Sequence, residues 1–421
     1  MIVDSISCGL MTSISSSKIS DFWITVRRLR AHGAILALCL WSVYLWNMST
    51  PGLIDRAGNL KGTDFLHFYT LGSIALIHQG ADLYNMRAQA ELAALRVPAA
   101  AGIRYLPLYP PQVSILFAPF ARLPYPPALT LWLCLSALIY GLCCYSVWRA
   151  CSNLRNHGVT VLILALAFPA FWHLIAWGQI SALALALFVL AYFALREQHE
   201  FLAGLAFGCL IFKPQLALAV AIVFLITLRW KIMAGALLSA AAELIGAGLY
   251  YGPAPLREWS RVLLNIPSVL PLLEPKPYQT HCLRTFWTML VPAPSVSFAL
   301  YVISGLLVAG LTIACWRSSL SLSLRYSALL LSTVLLAPHL TVYDLVILAP
   351  AFLLVADWLI TEPGNAAPHL KVLLYLGFIL PLLGPLAQWT HFQLSVPVMA
   401  ALLYGIWTTG RKSVSIATQS D

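Results

Sequence analysis

From Pro127 to Trp148 the chain runs for twenty-two residues without a single charged side chain. A helix of about 20 such residues spans a bilayer core of about 30 Å, and similar runs recur almost to the end of the 421 residues. Composition supports the same reading: 60% of residues are apolar, 10% are charged, and the mean hydropathy is +0.83. Soluble domains hold about 45–50% apolar and about 25% charged residues, so a soluble enzyme, a disordered tail and a fibrous repeat are all excluded. Lipid offers no hydrogen bonds to the backbone, which restricts spanning segments to helices or closed barrels. Helix-length apolar runs therefore predict an all-α polytopic membrane protein, in which 24 Gly and 26 Pro are tolerable.

Apolar runs bounded by charge or proline place spans near 34–50, 127–148, 159–177, 180–195, 201–213, 214–229, 232–251, 296–315, 325–338, 342–357, 371–388 and 393–409. The expected architecture is a bundle of about 11–12 transmembrane helices forming one domain, 34–409, between an N-terminal segment 1–33 and a tail 410–421. The polar and basic residues before the first run make it a retained span rather than a cleaved signal. Counted alternately, Lys18, Arg27, Arg28, Arg30, Arg149, Arg155, Arg196, Arg229, Lys231, Arg317, Arg325, Lys371, Arg411 and Lys412 all fall on one side. Basic loops stay cytoplasmic, so both termini are expected there, with segments of about 51–126 and 252–295 on the outer face. Keeping Arg229 and Lys231 inside requires 201–229 to be a hairpin broken at Lys213-Pro214 rather than one long span. The net charge of +10 is scattered through these loops, which argues against a nucleic-acid partner. Nine cysteines lack zinc or redox spacing and read as small buried side chains, and no second carboxylate stands beside Asp64 to hold a divalent ion, so no metal or cofactor is expected.

The first outer segment has helical periodicity over 65–79 and 82–96, which predicts helices lying in the interface plane. Ionisable groups near or below a membrane surface mark functional sites by default, and few exist here. Asp64 reads either as an N-cap or as a general base whose basicity is raised by desolvation. Lys213, with no acid nearby in sequence, needs a counter-charge: it either snorkels or is presented to an anion at the hairpin tip. Thr341 and Asp344 have capping-box spacing, whereas His339 just before them is left unexplained and could contact a carbonyl, a phosphate or a hydroxyl. Gln179 stands at another outer-face turn, and Glu243 reads as a carboxyl too deep for surface chemistry. Asp64, Gln179, Lys213, His339 and Asp344 all map to one side. One carboxylate among phosphate-friendly groups suits displacement at a carbon bearing a phosphate leaving group. No GxGxxG, Walker, HExxH or DxD motif is present, so a nucleotide donor has no visible site.

The stretches GTDFLHFYTLG (62–72), GADLYN (80–85), YPPQVSILFAPFARLPY (109–125), GQISALALAL (178–187), FKPQLAL (212–218) and APHLTVYDL (337–345) together resemble glycosyltransferase family 87 of the GT-C superfamily. That family is similar to the polyprenol-phosphate-mannose-dependent alpha-mannosyltransferases, and the likeness runs over roughly 33–350. It implies a GT-C bundle in the inner (plasma) membrane with its site on the non-cytoplasmic face. It also implies inverting transfer of a sugar, mannose above all, from a polyprenyl-phosphate donor to a lipid or glycan acceptor. The resemblance gives Asp64 the role of base and places Lys213 and His339 against phosphate or acceptor, with Tyr109, Pro110 and Pro111 shaping the cavity. His67 departs from it, standing where the family often shows aromatic residues. An arginine would grip the phosphate better than a lysine, and Arg104 is the expected candidate. Gln179, His67 and Asp344 complete the expected substrate-binding set. The rivals are a transporter or lipid flippase, which predicts polar groups spread through the depth of the membrane, and a lipid-linked glycan ligase, which would use the basic outer segment with Arg257, Arg261, Lys276 and Arg284.

Overall fold

A computed structural model describes residues 25–361 and 367–417; Lys18 lies outside them, as do the side chains of Arg411 and Lys412. The described chain is helical throughout, its only β pairing being isolated bridges at Ile54–Leu60 and Thr280–Thr341. After α1 (Val26–Met48), the first outer segment carries α2 (Thr63–Leu76), α3 (Met86–Arg96) and α4 (Gln112–Ala121), and α5 (Tyr125–Ala150) returns across the bundle. Next come α6 (Gly158–Ala167) and α7 (Pro169–Trp177), meeting at 48° where Pro169 interrupts the backbone ladder. The chain continues through α8 (Ser181–Arg196), α9 (Glu200–Gly208), α10 (Leu218–Ile226) and α11 (Trp230–Tyr251). α12 (Ala254–Leu273) and α13 (Leu283–Leu290) form the second outer segment. The last part comprises α14 (Pro294–Arg317), α15 (Leu322–Leu336), a 3-10 stretch Val342–Leu348 leading into α16 (Ala349–Thr361), α17 (Ala367–Ile379) and α18 (Ser395–Ala417).

Six of the described helices are long and apolar enough to cross a membrane alone, and the bent α6–α7 pair adds a seventh. The chain is a multi-pass membrane protein. Shorter apolar helices occupy the remaining expected spans.

The hairpin at 201–229 is present. Arg229 Nη1 lies 2.7 Å from Glu200 Oε1, whereas 29 residues of continuous helix would separate these positions by about 43 Å. Glycine lets α11 close against the first arm: a Cβ on Gly204 would sit 2.2 Å from the Ile232 carbonyl oxygen, one on Gly208 2.1 Å from that of Ala236, and one on Gly235 2.3 Å from that of Phe201. Small residues four apart allow such backbone approach where lipid supplies no hydrophobic drive between helices. At the same end of the bundle, Arg317 donates to the Ile226 carbonyl at 3.0 Å, Arg30 to Thr160 Oγ1 at 2.7 Å, and the Asn153 amide to Asp357 at 2.8 Å. These contacts gather basic loops from distant parts of the chain.

The first outer segment corrects one expectation. α3 lies on the surface, with Gln89 and Ala93 buried, but every residue of α2 from Phe65 to Ala75 is buried. The sequence shows one apolar stripe on α2; α4, which carries no charge to mark it, covers another face so closely that a Cβ on Gly72 would lie 2.4 Å from the Phe117 carbonyl oxygen. The residues before α4 cover the polar side, where Tyr105 stacks on His67 at 4.7 Å.

The glycine contacts make a direct test. Gly204→Val should lower the thermal midpoint of the detergent-purified protein by the equivalent of about 1–3 kcal/mol of overpacking. Gly246→Val on α11, where nothing lies within 4 Å of the added Cβ, should leave the midpoint nearly unchanged.

Candidate active site

Two left-handed glycines bring the first pair of polar groups together. Gly62 (φ 67°) turns the chain into α2, so that Asp64 falls in its first turn, and Gly178 (φ 72°) ends α7 and presents Gln179. A Cβ at Gly178 would lie 2.8 Å from Phe65 Cβ, and the Gly178 carbonyl accepts the Trp132 indole N–H at 2.9 Å. Tyr125 Oη donates to the Gly62 carbonyl at 2.9 Å, and Tyr105 Oη donates to that of Thr63. Held this way, Gln179 Nε2 donates to Asp64 Oδ2 at 2.7 Å, while its Oε1 accepts the Ile180 amide at 3.1 Å and fixes the side-chain orientation. Asp64 makes no capping bond to α2. Burial pushes the Asp64 carboxyl up to about 6; donation from Gln179 and the charge of Lys213 oppose that rise, and Asp344 adds to it.

The second constellation lies at the α9–α10 break. Lys213 sits at a non-helical break (φ −135°, ψ 71°) between two 3-10 turns, the second opened by Pro214. Its Nζ donates to Asp344 Oδ1 at 2.6 Å and to Ser181 Oγ at 2.9 Å; Ser181 Oγ donates in turn to the same carboxylate oxygen at 2.5 Å. The Lys213 and Asp344 side chains are 4% and 3% exposed. Asp344 is thus the counter-charge that Lys213 needs. The expected capping box does not form: Thr341 makes no capping bond, and its hydroxyl is 3.4 Å from Asp344 Oδ2. A carboxylate accepting a charge-assisted bond gains more from a buried ammonium than from a neutral cap.

Aromatic rings enclose both groups. Tyr343 lies under Lys213 Nζ at 5.0 Å and edge-on to Trp177 at 5.6 Å. The Tyr109 hydroxyl reaches Gln179, and burial raises its pKa far above the usual phenol range. His67 lies between Tyr105 and Tyr109; its Nε2 is buried without a partner among the described residues, and burial pushes the imidazole pKa down to about 3, so the ring is neutral.

His339 belongs to a third group, with Nδ1 2.7 Å from Glu274 Oε1. Arg284 also bonds Glu274 and donates to the Pro338 carbonyl. Burial acts to raise the Glu274 pKa, but the hydrogen bond from His339 and the Arg284 charge outweigh it and hold the carboxyl below its usual range. The His281 amide donates to the Leu340 carbonyl at 2.9 Å, stitching this second outer segment to the stretch that leads into Asp344.

A family profile now joins the geometry. The sequence model of glycosyltransferase family 87 matches residues 108–338, more than half of the chain. The chain belongs to glycosyltransferase family 87. No curated protein and no solved structure matches it. As a family 87 protein it is a membrane glycosyltransferase. The matched region contains Tyr109, Gln179, Ser181, Lys213, Glu274 and Arg284, whereas Asp64, His67, Arg104, His339 and Asp344 lie outside it.

Among the expected site residues, Asp64 joins Gln179, and Lys213 joins Asp344; Arg104 is exposed, with no hydrogen bond or ion pair among the described residues. Sequence reasoning missed Ser181, two residues after Gln179, and Glu274, whose partners are 10 and 65 residues away. Glu243 stays apart from both constellations: its Oε2 accepts from Gln112 Nε2 at 3.2 Å. Among the described residues no three His, Cys, Asp or Glu side chains converge to hold a metal ion.

The buried pair sets an expectation for stability. Lys213→Ala strands the Asp344 charge and should cost about 3–5 kcal/mol. The double variant Lys213→Ala, Asp344→Ala should recover a large part of that loss in thermal denaturation, and strictly additive losses would contradict the pairing.

Proposed function

We propose that this glycosyltransferase moves a hexose, mannose on the family likeness, from a polyprenyl-phosphate donor to a lipid or glycan acceptor, with inversion. Asp64 acts as general base. The observation that carries this reading is a carboxyl in the first turn of α2, oriented by Gln179 and with its pKa pushed up to about 6. Such a group is ionised at neutral pH yet basic enough to take a proton as the acceptor oxygen attacks. The acceptor O–H proton passes to Asp64, the new bond forms at the anomeric carbon, and the bond to phosphate breaks with its electrons leaving on polyprenyl phosphate.

Lys213 is already matched by Asp344, which leaves one of its three N–H groups for a ligand. Arg284 is better placed than the isolated Arg104 to receive the phosphate, because it meets the His339 imidazole at one Glu274 carboxylate. His67 and Tyr109 line the sugar side, and Asp344 serves by holding Lys213. The reading requires neither metal nor cofactor. The basic loops set the membrane sidedness: they belong in the cytoplasm, which turns Asp64 to the extracytoplasmic face of the inner (plasma) membrane. Family membership sets aside the carrier alternative. The ligase reading loses force because Arg261 pairs with Glu258 and Arg284 with Glu274, reducing the free basic charge of the outer segment.

In proteoliposomes with radiolabelled polyprenyl-phosphate mannose, Asp64→Asn should lower transfer by about 10²- to 10⁴-fold. Undiminished transfer would remove Asp64 as the base. Because the base works ionised, the wild-type rate should fall as pH drops through about 6. Gln179 donation favours the ionised form, so Gln179→Leu should move that acidic limb to higher pH; an unmoved limb would assign it to another group.

A further inference from the structure

A cavity of about 420 Å³ lies away from the Asp64 end. Its walls come from α1, α5, α6, α16 and α17, with Leu164, Phe168, Phe352, Leu353 and Phe378 among the apolar groups that line it. Along α16 it runs from Ala349 to Ile360, about 16 Å at helical rise and so about half of a 30 Å hydrocarbon core. Its inner end begins just past the 3-10 stretch carrying Asp344, and its other end opens where α1, α6 and α17 start and α16 finishes. Basic groups collect at that mouth. Lys371, His157 and Thr160 line it, and Arg30 is anchored there by its bond to Thr160. Among the described residues of this mouth the acid Asp357 is turned away and accepts the amides of Asn153 and Leu154 at 2.8 and 3.0 Å.

We infer that this slot binds one anionic phospholipid from the leaflet opposite the glycosyl-transfer site. An acyl chain fills the apolar length, and the phosphate rests on Arg30, His157 and Lys371. A depth of one leaflet fits a phospholipid chain, and the positive mouth selects negative headgroups. The donor cannot be the occupant, because its phosphate would lie at the wrong end of the bundle for Asp64. This inference concerns binding alone and stands or falls independently of the transfer assay.

Native mass spectrometry of the full chain, released from nanodiscs of equal phosphatidylglycerol and phosphatidylcholine, tests it. One retained phosphatidylglycerol, enriched about tenfold over phosphatidylcholine, is expected. Arg30→Glu with Lys371→Glu should abolish the preference, and Ala356→Trp should remove the bound lipid by filling the slot. Equal retention of the two lipids, or retention unaffected by Ala356→Trp, would overturn the proposal. A benzoylphenylalanine in place of Leu164 gives a readout that does not depend on release: a phospholipid adduct supports the site, whereas cross-linking to residues 1–24 or to a second copy would show another occupant.

Discussion

The buried ion pair between Lys213 and Asp344 is the contact on which the arrangement of the outer end depends. It joins the hairpin tip between α9 and α10 to the 3-10 stretch before α16, and Ser181 adds the start of α8. Three chain segments far apart in sequence meet at one carboxylate oxygen. Neither charge could remain there alone, because desolvating a single ion costs several kcal/mol. Pro214 is the backbone counterpart of the pair: by stopping the first arm it puts the lysine at a break, where the side chain can turn toward the interior. A continuous helix through 213 would lose both the tip and the return of Arg229 to Glu200.

Asp64 is held by different means, and the contrast matters for chemistry. Its position comes from left-handed glycines and aromatic hydrogen bonds to backbone carbonyls, and its only side-chain hydrogen-bond partner among the described residues is a neutral amide. An ion pair would pin a carboxylate in its charged form and weaken it as a base. A neutral donor orients the group while leaving burial free to raise its proton affinity. Two acids are therefore separated by environment: Asp344 is committed to a cation, and Asp64 is left with a neutral partner and a raised proton affinity.

Much of this architecture is legible in the amino-acid sequence, for identifiable reasons. Apolar runs report membrane passage because lipid enforces internal hydrogen bonding, and basic loops report alternation, so the hairpin at 201–229 follows from the need to keep Arg229 beside its own kind. Lone ionisable residues in apolar surroundings point to Asp64 and Lys213. Their partners are not legible. Nothing local marks Asp344 as the counter-charge 131 residues from Lys213, and its spacing from Thr341 imitates a cap that does not form. Glu274 gives no signal, because an acid in a polar outer loop looks solvated until Arg284 and His339 fold onto it. α2 deceives in another way: a buried helix still shows an apolar stripe, and the coverage of its polar face by Tyr105 and α4 is a tertiary fact.

The three polar groups suggest how the proposed reaction would keep its charges in order. Asp64 already feels Asp344 as a repulsive charge and Lys213 as an attractive one. A donor phosphate brought to this end would add negative charge, raising the proton affinity of Asp64 further at the moment an acceptor hydroxyl must be activated. The same phosphate would take up the one N–H that Lys213 has left and would compete with Asp344 for Lys213 and with Glu274 for Arg284, so its arrival would loosen existing ion pairs rather than find unpaired cations. Cations held by internal carboxylates do not attract stray anions strongly, because their charge is already met. A ligand must offer more contacts than a simple anion can, and a sugar on a lipid carrier brings a pyranose for the aromatic walls as well as a phosphate for the basic groups.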